Sequence, residues 1–111
     1  MNPTAERTEI LAQAVEVVHN ARIGLLTTVD ADGCPHARWM GIGALVEGVR
    51  VLYTISRADA RKVGHLEAHP EVCWVFSEPG YRRVATLHGR AYPDHSPILR
   101  QKVYRGPLNE P

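Results

Sequence analysis

The sequence predicts a mainly β protein, an antiparallel β-barrel or curled sheet with peripheral helices. Five segments are rich in β-branched and aromatic residues, as strands are. Most of them are joined by tight turns, such as "DADG" at 30–33, and tight turns favour antiparallel pairing. The chain lacks a GxGxxG motif and the strand–helix alternation of a doubly wound fold. Its 111 residues fit one domain, with a helix over 1–20, a barrel core over 21–95 and a helix or tail over 96–111.

The first half of the chain predicts one helix and two strands. Apolar residues recur at helical spacing between 4 and about 20, and Thr4 is the expected N-cap. "RIGLLTTV" predicts the first strand, which ends at the "DADG" turn. The second strand is predicted over 34–46, and the glycines at its middle, Gly41 and Gly43, indicate a bulge or a flat group lying against the backbone.

The second half predicts two helices and three more strands. "VRVLYTI" is the expected third strand, and "ADARKVGHLEAH" a short helix that Asp59 or Ser56 caps. "EVCWVFS" and "RRVATLHGRAYPD" predict the fourth and fifth strands. A last helix is expected over 96–104, where a Gly-Pro pair follows it.

Charge and composition argue against some classes of function. The chain has 13 Lys and Arg against 12 Asp and Glu, and a net charge near +1 offers no general attraction to nucleic acid or membrane. No apolar run approaches the roughly 20 residues that cross a bilayer, and the N-terminus lacks the pattern of a signal peptide. We therefore expect a cytoplasmic protein with neither a nucleic-acid nor a membrane partner. Cys34 and Cys73 make no disulfide framework, and we expect reduced thiols.

The segment from 36 to 62 carries a pattern typical of anion binding. Arg38 lies on the second strand, Thr54 and Ser56 follow on or after the third, and Arg61-Lys62 open a helix. A phosphate dianion favours more than one cation together with hydroxyl or backbone donors. Because these donors come from three elements that converge at a helix start, the pattern predicts a phosphate site.

Other chemistries have weaker support. His65 and His69 are four residues apart on one predicted helix, but no further ligand completes a metal set, and we expect no metal. His36 shares a strand face with Arg38 and is a candidate sensor of the phosphate. No Ser-His-Asp or Cys-His arrangement follows from the spacing, so hydrolysis is not indicated and catalytic residues are unknown.

Two longer segments, "LTTVDADGCPHARWM" and "LYTISRADARKVGHLEAHPEVCWVF", resemble the FMN-binding split β-barrel family, which includes pyridoxamine 5′-phosphate oxidase-like and general stress protein 26-type proteins. The resemblance covers residues 21–94. It implies a Greek-key-like antiparallel split barrel, FMN as cofactor, and a homodimer with flavins at the subunit interface. It also implies an oxidoreductase that passes a hydride or electrons through flavin to a small molecule whose identity stays open.

The resemblance also implies particular site residues. Arg38, Ser56, Arg61 and Lys62 hold the phosphate, and Tyr53 and Thr54 lie beside the ribityl-phosphate and the ring edge. Backbone atoms of the stretch Trp39, Met40 and Gly41 line the flavin ring.

Several features depart from that family and keep alternatives open. The family usually continues into another strand, whereas this chain stops at Pro111, and the Arg-x-His substrate motif of the vitamin B6 oxidases is missing. Ala60 stands where the family often has a hydroxyl residue. The alternatives are a non-catalytic stress protein that binds flavin, the deazaflavin F420 or another phosphate ligand, and a dimeric barrel that has lost its flavin.

Overall fold

The computed structural model describes residues 3–46, 51–54 and 60–94. The predicted last helix, the predicted turn at Glu47-Gly48, and the candidate ligand Ser56 lie outside the described residues. None of the described helices combines the length and the apolar character needed to cross a membrane.

The described elements are two helices and six strands. In chain order they are α1 (Pro3–Ala21), β1 (Ile23–Val29), β2 (Pro35–Gly41), β3 (Ala44–Val46), β4 (Val51–Tyr53), α2 (Arg61–Ala68), β5 (Glu71–Ser77) and β6 (Val84–Arg90), with a short 3₁₀ turn over Pro79–Tyr81 before β6. All strand pairs are antiparallel, which confirms the predicted mainly β class with peripheral helices.

The strands form two sheets. One has the order β2-β1-β5-β6, and the hairpin of β3 and β4 forms the other. The single strand predicted over 34–46 is therefore wrong, because it breaks into β2 and β3 at Ile42-Gly43. Ile42 is 5% exposed and packs into the core, so the chain turns inward there. Its N–H donates to the carbonyl of Arg22, whereas the N–H of Gly43 donates to Tyr53 of the other sheet.

Both predicted helix caps are also wrong. Helix α1 begins at Pro3, so Thr4 lies inside its first turn. Proline fits that position because its fixed φ suits a helix and its missing N–H would have no partner there. The N-cap residue of helix α2 is Ala60, not the predicted Asp59 or Ser56, and Ala60 makes no side-chain cap hydrogen bond.

The core lies between α1 and the inner face of the four-stranded sheet. Its buried members come from one end of α1, from β1 and β5, and from the β2–β3 break: Val17, Val18, Leu26, Ile42, Trp74 and Phe76. The earlier apolar residues of α1 stay outside, since Ile10 is 66% exposed and Leu11 38%. Only the last part of the predicted apolar face of α1 therefore contributes to the core.

An ion-pair cluster fixes the end of α1 to the β5–β6 connection. Glu78 accepts hydrogen bonds from Nε and Nη2 of Arg83 at 2.6 and 2.8 Å, and from the amide of Asn20 at 2.7 Å. Arg83 also reaches Glu16 on α1, at 3.0 Å. The hydrogen bonds from Arg83 and Asn20 lower the pKa of Glu78 to about 2.

Candidate anion-binding site

The β1–β2 hairpin sets the geometry of the site. Its register places His36 opposite Thr28, and Arg38 opposite Leu26. Because side chains alternate along a strand, His36 and Arg38 share one face of β2. The predicted "DADG" turn closes this hairpin: Oδ1 of Asp30 accepts the N–H groups of residues 32 and 34, both at 2.9 Å.

A cleft of about 240 Å³ opens between β2 and the start of α2. We call it the anion cleft, and its lining residues are His36, Ala37, Arg38, Ala60, Arg61, Lys62 and His65. Three of the predicted phosphate ligands, Arg38, Arg61 and Lys62, therefore meet at one place. Among residues 3–46, 51–54 and 60–94, no carboxylate lines the anion cleft, and none of the salt bridges includes these three cations.

The electrostatics of the anion cleft favour an anion. Partial burial lowers the pKa of Arg38, and the charge of Arg61 lowers it further. Partial burial also lowers the pKa of Lys62, with the charge of Arg38 acting in the same direction. The cations thus destabilise one another. A bound anion would remove this repulsion, and the donor set of guanidinium and ammonium groups suits phosphate.

Backbone donors at the start of α2 extend the donor set. The first N–H groups of a helix have no partner within it, and the positive end of the helix dipole favours an anion there. The N-cap residue, Ala60, makes no side-chain hydrogen bond to them. The first helical bond, at 3.0 Å, is that of Val63 to the carbonyl of Ala60. The preceding N–H groups, of Arg61 and Lys62, have no hydrogen-bond partner within the helix.

Two histidines complete one wall of the anion cleft. Nδ1 of His65 lies 2.9 Å from the hydroxyl of Thr28, which is fully buried. Nε2 of His36 lies 2.8 Å from Oδ2 of Asp30. The two imidazole rings are tilted by 37°, with 4.7 Å between their centroids. The hydrogen bond from His36 lowers the pKa of Asp30, and the backbone N–H of Cys34 adds to this.

Sequence reasoning missed His65 as part of this site. It considered His65 only as a metal partner of His69, and His69 does not line the anion cleft. Within the described ranges no group of three potential metal ligands occurs. The available signal was Thr28, a polar residue on the buried face of β1, because a buried hydroxyl requires a partner.

The other predicted ligands that the structure describes lie outside the lining of the anion cleft. Trp39 is 71% exposed on the opposite face of β2, while Met40 packs against the core. The hydroxyl of Thr54 donates to the carbonyl of Gly41 at 2.6 Å, and the carbonyl of Tyr53 accepts from Gly43. These contacts tie the β4 end to the β2–β3 break. The assigned roles of these residues stay predictions.

Solved structures share this fold. A protein from Clostridium acetobutylicum related to general stress protein 26 is 18% identical, with a TM-score of 0.74 over 86% of this chain and 66% of its own. An FMN-binding, pyridoxamine 5′-phosphate oxidase-related protein from Nostoc punctiforme is also 18% identical, with a TM-score of 0.60 over 91% of this chain and 54% of its own. An F420 reductase is 26% identical, with a TM-score of 0.65 over 86% of this chain and 79% of its own.

The same fold serves proteins with different ligands. A heme binding protein from Mycobacterium smegmatis is 18% identical, with a TM-score of 0.67 over 82% of this chain. The chain spans only 39% of that protein and 66% of the Clostridium protein. No curated protein matches the sequence.

The family comparison covers most of the chain, since the pyridoxamine 5′-phosphate oxidase profile matches residues 10–105. That range contains the six described strands, α2 and the described lining residues of the anion cleft. The chain belongs to the pyridoxamine 5′-phosphate oxidase family, with the split-barrel fold.

Proposed function

We propose that this protein is an FMN-binding flavoprotein that holds the phosphate of FMN in the anion cleft. The observation that carries the proposal is the meeting of Arg38, Arg61 and Lys62 at one cleft, which no carboxylate from the described part of the chain lines. A phosphate dianion would relieve the repulsion among these cations and accept the hydrogen bonds that they offer. The FMN-binding relative from Nostoc and the F420 reductase support a ligand of this class.

The size of the anion cleft limits what it holds. Pockets for whole ligands of drug size measure roughly 300–1,000 Å³, whereas this one measures about 240 Å³. It accordingly fits the phosphate end of FMN, and the ring lies beyond it. Backbone atoms of Trp39, Met40 and Gly41, with Tyr53, Thr54 and Ser56, remain our proposed contacts for the rest of the cofactor. FMN would supply hydride or electron transfer, and the chain would bind and orient it.

A homodimer is the second part of the proposal. The outer face of the sheet carries Trp39, Leu25 and Val75 side by side in register. Trp39 is 71% exposed, and Ile23, at the end of the same face, is 56% exposed. Large apolar side chains exposed together mark an interaction surface. A second copy on this face would cover them and bring its own residues to the flavin ring.

The proposed reaction is oxidation or reduction of a small molecule by a cytoplasmic enzyme. The test is anaerobic reduction of the FMN-loaded protein by NADH and by NADPH, with free FMN as control. Reduction faster than in the control supports an oxidoreductase. Reduction no faster than free FMN with either donor favours a protein that binds flavin without turnover.

F420 is the second candidate ligand, favoured by the 26% identity to the F420 reductase. The anion cleft recognises a phosphate and so does not by itself distinguish the two cofactors. Competition between FMN and F420, followed by their absorption spectra, tells them apart. Hemin belongs in the same experiment because a heme binding protein shares the fold.

The binding proposal is tested by titrating the protein with FMN and following flavin fluorescence. The variant is Arg61→Ala/Lys62→Ala, and the control is Arg7→Ala/Arg90→Ala, which removes the same charge from exposed positions. A hydrogen bond to a charged group contributes about 1.5–3 kcal/mol, so losing two weakens binding by about 100-fold or more. An equal loss of FMN affinity in both variants would mean that FMN is held by general charge attraction. If the wild type did not bind FMN, the proposal would be refuted.

A further inference from the structure

We propose that His65 is a ligand of the anion in this cleft and that it takes up a proton when the anion binds. This deepens the proposed function, because it rests on the same phosphate site, but it concerns an anion of any source. The geometry carries it: His65 lines the anion cleft together with three cations, and its Nδ1 is held by a buried hydroxyl.

The contact with Thr28 decides which ring nitrogen of His65 carries the proton. Thr28 is fully buried, and its hydroxyl makes no other hydrogen bond within the described part of the chain. If Nδ1 carried the hydrogen of the neutral ring, the hydroxyl hydrogen of Thr28 would be left without an acceptor among the described residues, which is unfavourable for a buried donor. The hydroxyl therefore donates to Nδ1. The neutral ring carries its hydrogen on Nε2, which stays available as a donor at the anion cleft.

The surroundings of His65 set its charge in the free protein. Arg38 and His36 face it from β2, Arg61 and Lys62 come from its own helix, and Asp30 lies at the end of β1. Partial burial lowers the pKa of His65 first, and the charges of His36, Arg38 and Arg61 lower it further, while Asp30 opposes them. These protein groups by themselves therefore favour the neutral ring.

A bound dianion reverses this balance. Its negative charge offsets the cations, and the imidazolium of His65 is then the favoured form because an opposite charge close by stabilises it. A protonated His65 donates from Nε2 to the anion and from Nδ1 to the hydroxyl of Thr28, whose own hydrogen then has no acceptor among the described residues. This loss lowers the pKa of His65 with or without the anion, so the shift on binding reports the charge of the anion. Binding thus consumes up to one proton at pH values between the free and the bound pKa of His65. By linkage, affinity rises as the pH falls through that range.

The test uses sulfate, which is a dianion from pH 5.5 to 8 and so adds no titration of its own. Proton NMR of the imidazole C–H groups gives the pKa of each histidine with and without saturating sulfate, and His65→Gln assigns the signal of His65. We expect sulfate to raise the pKa of His65 by about one unit or more, as an opposite charge within a few ångström does. His88, exposed on β6, is the internal control and should not respond.

Two variants separate a ligand from a structural residue. In His65→Gln, sulfate affinity should lose most of its dependence on pH. In Thr28→Val, affinity should fall at pH 7.5, where the neutral ring needs the hydroxyl to fix its hydrogen on Nε2, and recover towards the wild type at pH 5.5. A loss of sulfate affinity that is equal at both pH values would mean that Thr28 has only a structural role. Circular dichroism melting checks that each variant folds.

Failure of this inference is distinct from failure of the flavin proposal. Sulfate that binds without moving the pKa of His65 overturns the inference and leaves FMN binding intact. Absence of any sulfate binding overturns the inference together with the anion cleft itself. If sulfate raises the pKa of His65 but the protein does not bind FMN, the inference is supported and the proposal of flavin binding is refuted.

Discussion

Replacing Gly24 by alanine should destabilise the strand beneath the anion cleft. A Cβ at this position would lie 2.6 Å from Cε1 and 2.7 Å from Cδ1 of Phe76, and 2.7 Å from the carbonyl oxygen of Val75. Ordinary contacts begin at 3.4 Å, so these atoms would have to separate by about 0.7 to 0.8 Å. Phe76 is fully buried, and Val75 pairs with β1 through its backbone, so neither can yield cheaply.

The expected magnitude follows from two opposing effects. Overpacking of this kind costs about 1–3 kcal/mol. Alanine also restricts the unfolded chain and so returns about 0.4–1 kcal/mol. The net loss of about 1–2 kcal/mol should lower the melting temperature by about 5 °C or more for a chain of this length.

The assay is thermal and urea unfolding followed by circular dichroism, with Gly64→Ala as the matched control. Gly64 is exposed within α2, and apart from its own stretch of helix no atom lies within 4 Å of the position that a Cβ would take. Because alanine is the better helix former by about 1 kcal/mol, the control should unfold at a higher temperature than the wild type. A Gly24→Ala protein that is as stable as the wild type would refute the close packing of β1 on β5.

The remaining predictions concern the ion-pair cluster and the outer face of the sheet. In Glu78→Gln the stability difference from the wild type should be largest near pH 6 and shrink as the pH falls from about 4.5 towards 2, because the folded pKa of Glu78 is about 2 against an ordinary 4.5. Melting curves between pH 3 and 7 measure this, and a difference independent of pH would contradict the assigned charge of Glu78. Trp39→Ser should convert the proposed dimer to a monomer in light scattering without changing the circular dichroism spectrum, since Trp39 is 71% exposed. An unchanged dimer would place the interface elsewhere.

Local signals in the sequence predicted most of the fold. Strand β5 matches its prediction because Pro70 ends the preceding helix and Pro79 starts the next turn, and both act on their immediate neighbours. The turn before β2 was likewise predicted, since the Asp30 carboxylate bonds the backbone two and four residues on. Position 42 was different. Its inward packing depends on contacts with distant core residues, and these break the predicted strand.

In the candidate site, too, some residues were predicted from local sequence and one was not. Arg38, Arg61 and Lys62 were predicted from their order along the chain, and the structure brings them to one cleft. His65 was not placed there, because its partner Thr28 is 37 residues away and meets it only when α2 packs on β1. A contact of that kind depends on tertiary packing, which spacing in the sequence does not reveal.

The central claim is that the anion cleft binds the phosphate of FMN, and the affinity of the wild-type protein for FMN relative to riboflavin tests it most directly. Riboflavin has the same ring without the phosphate, so the ratio isolates the contribution of the cleft. With two or more charge-assisted hydrogen bonds of about 1.5–3 kcal/mol each, FMN should bind about 100-fold more tightly or better. Equal affinities for the two flavins, or binding of neither, would contradict the account.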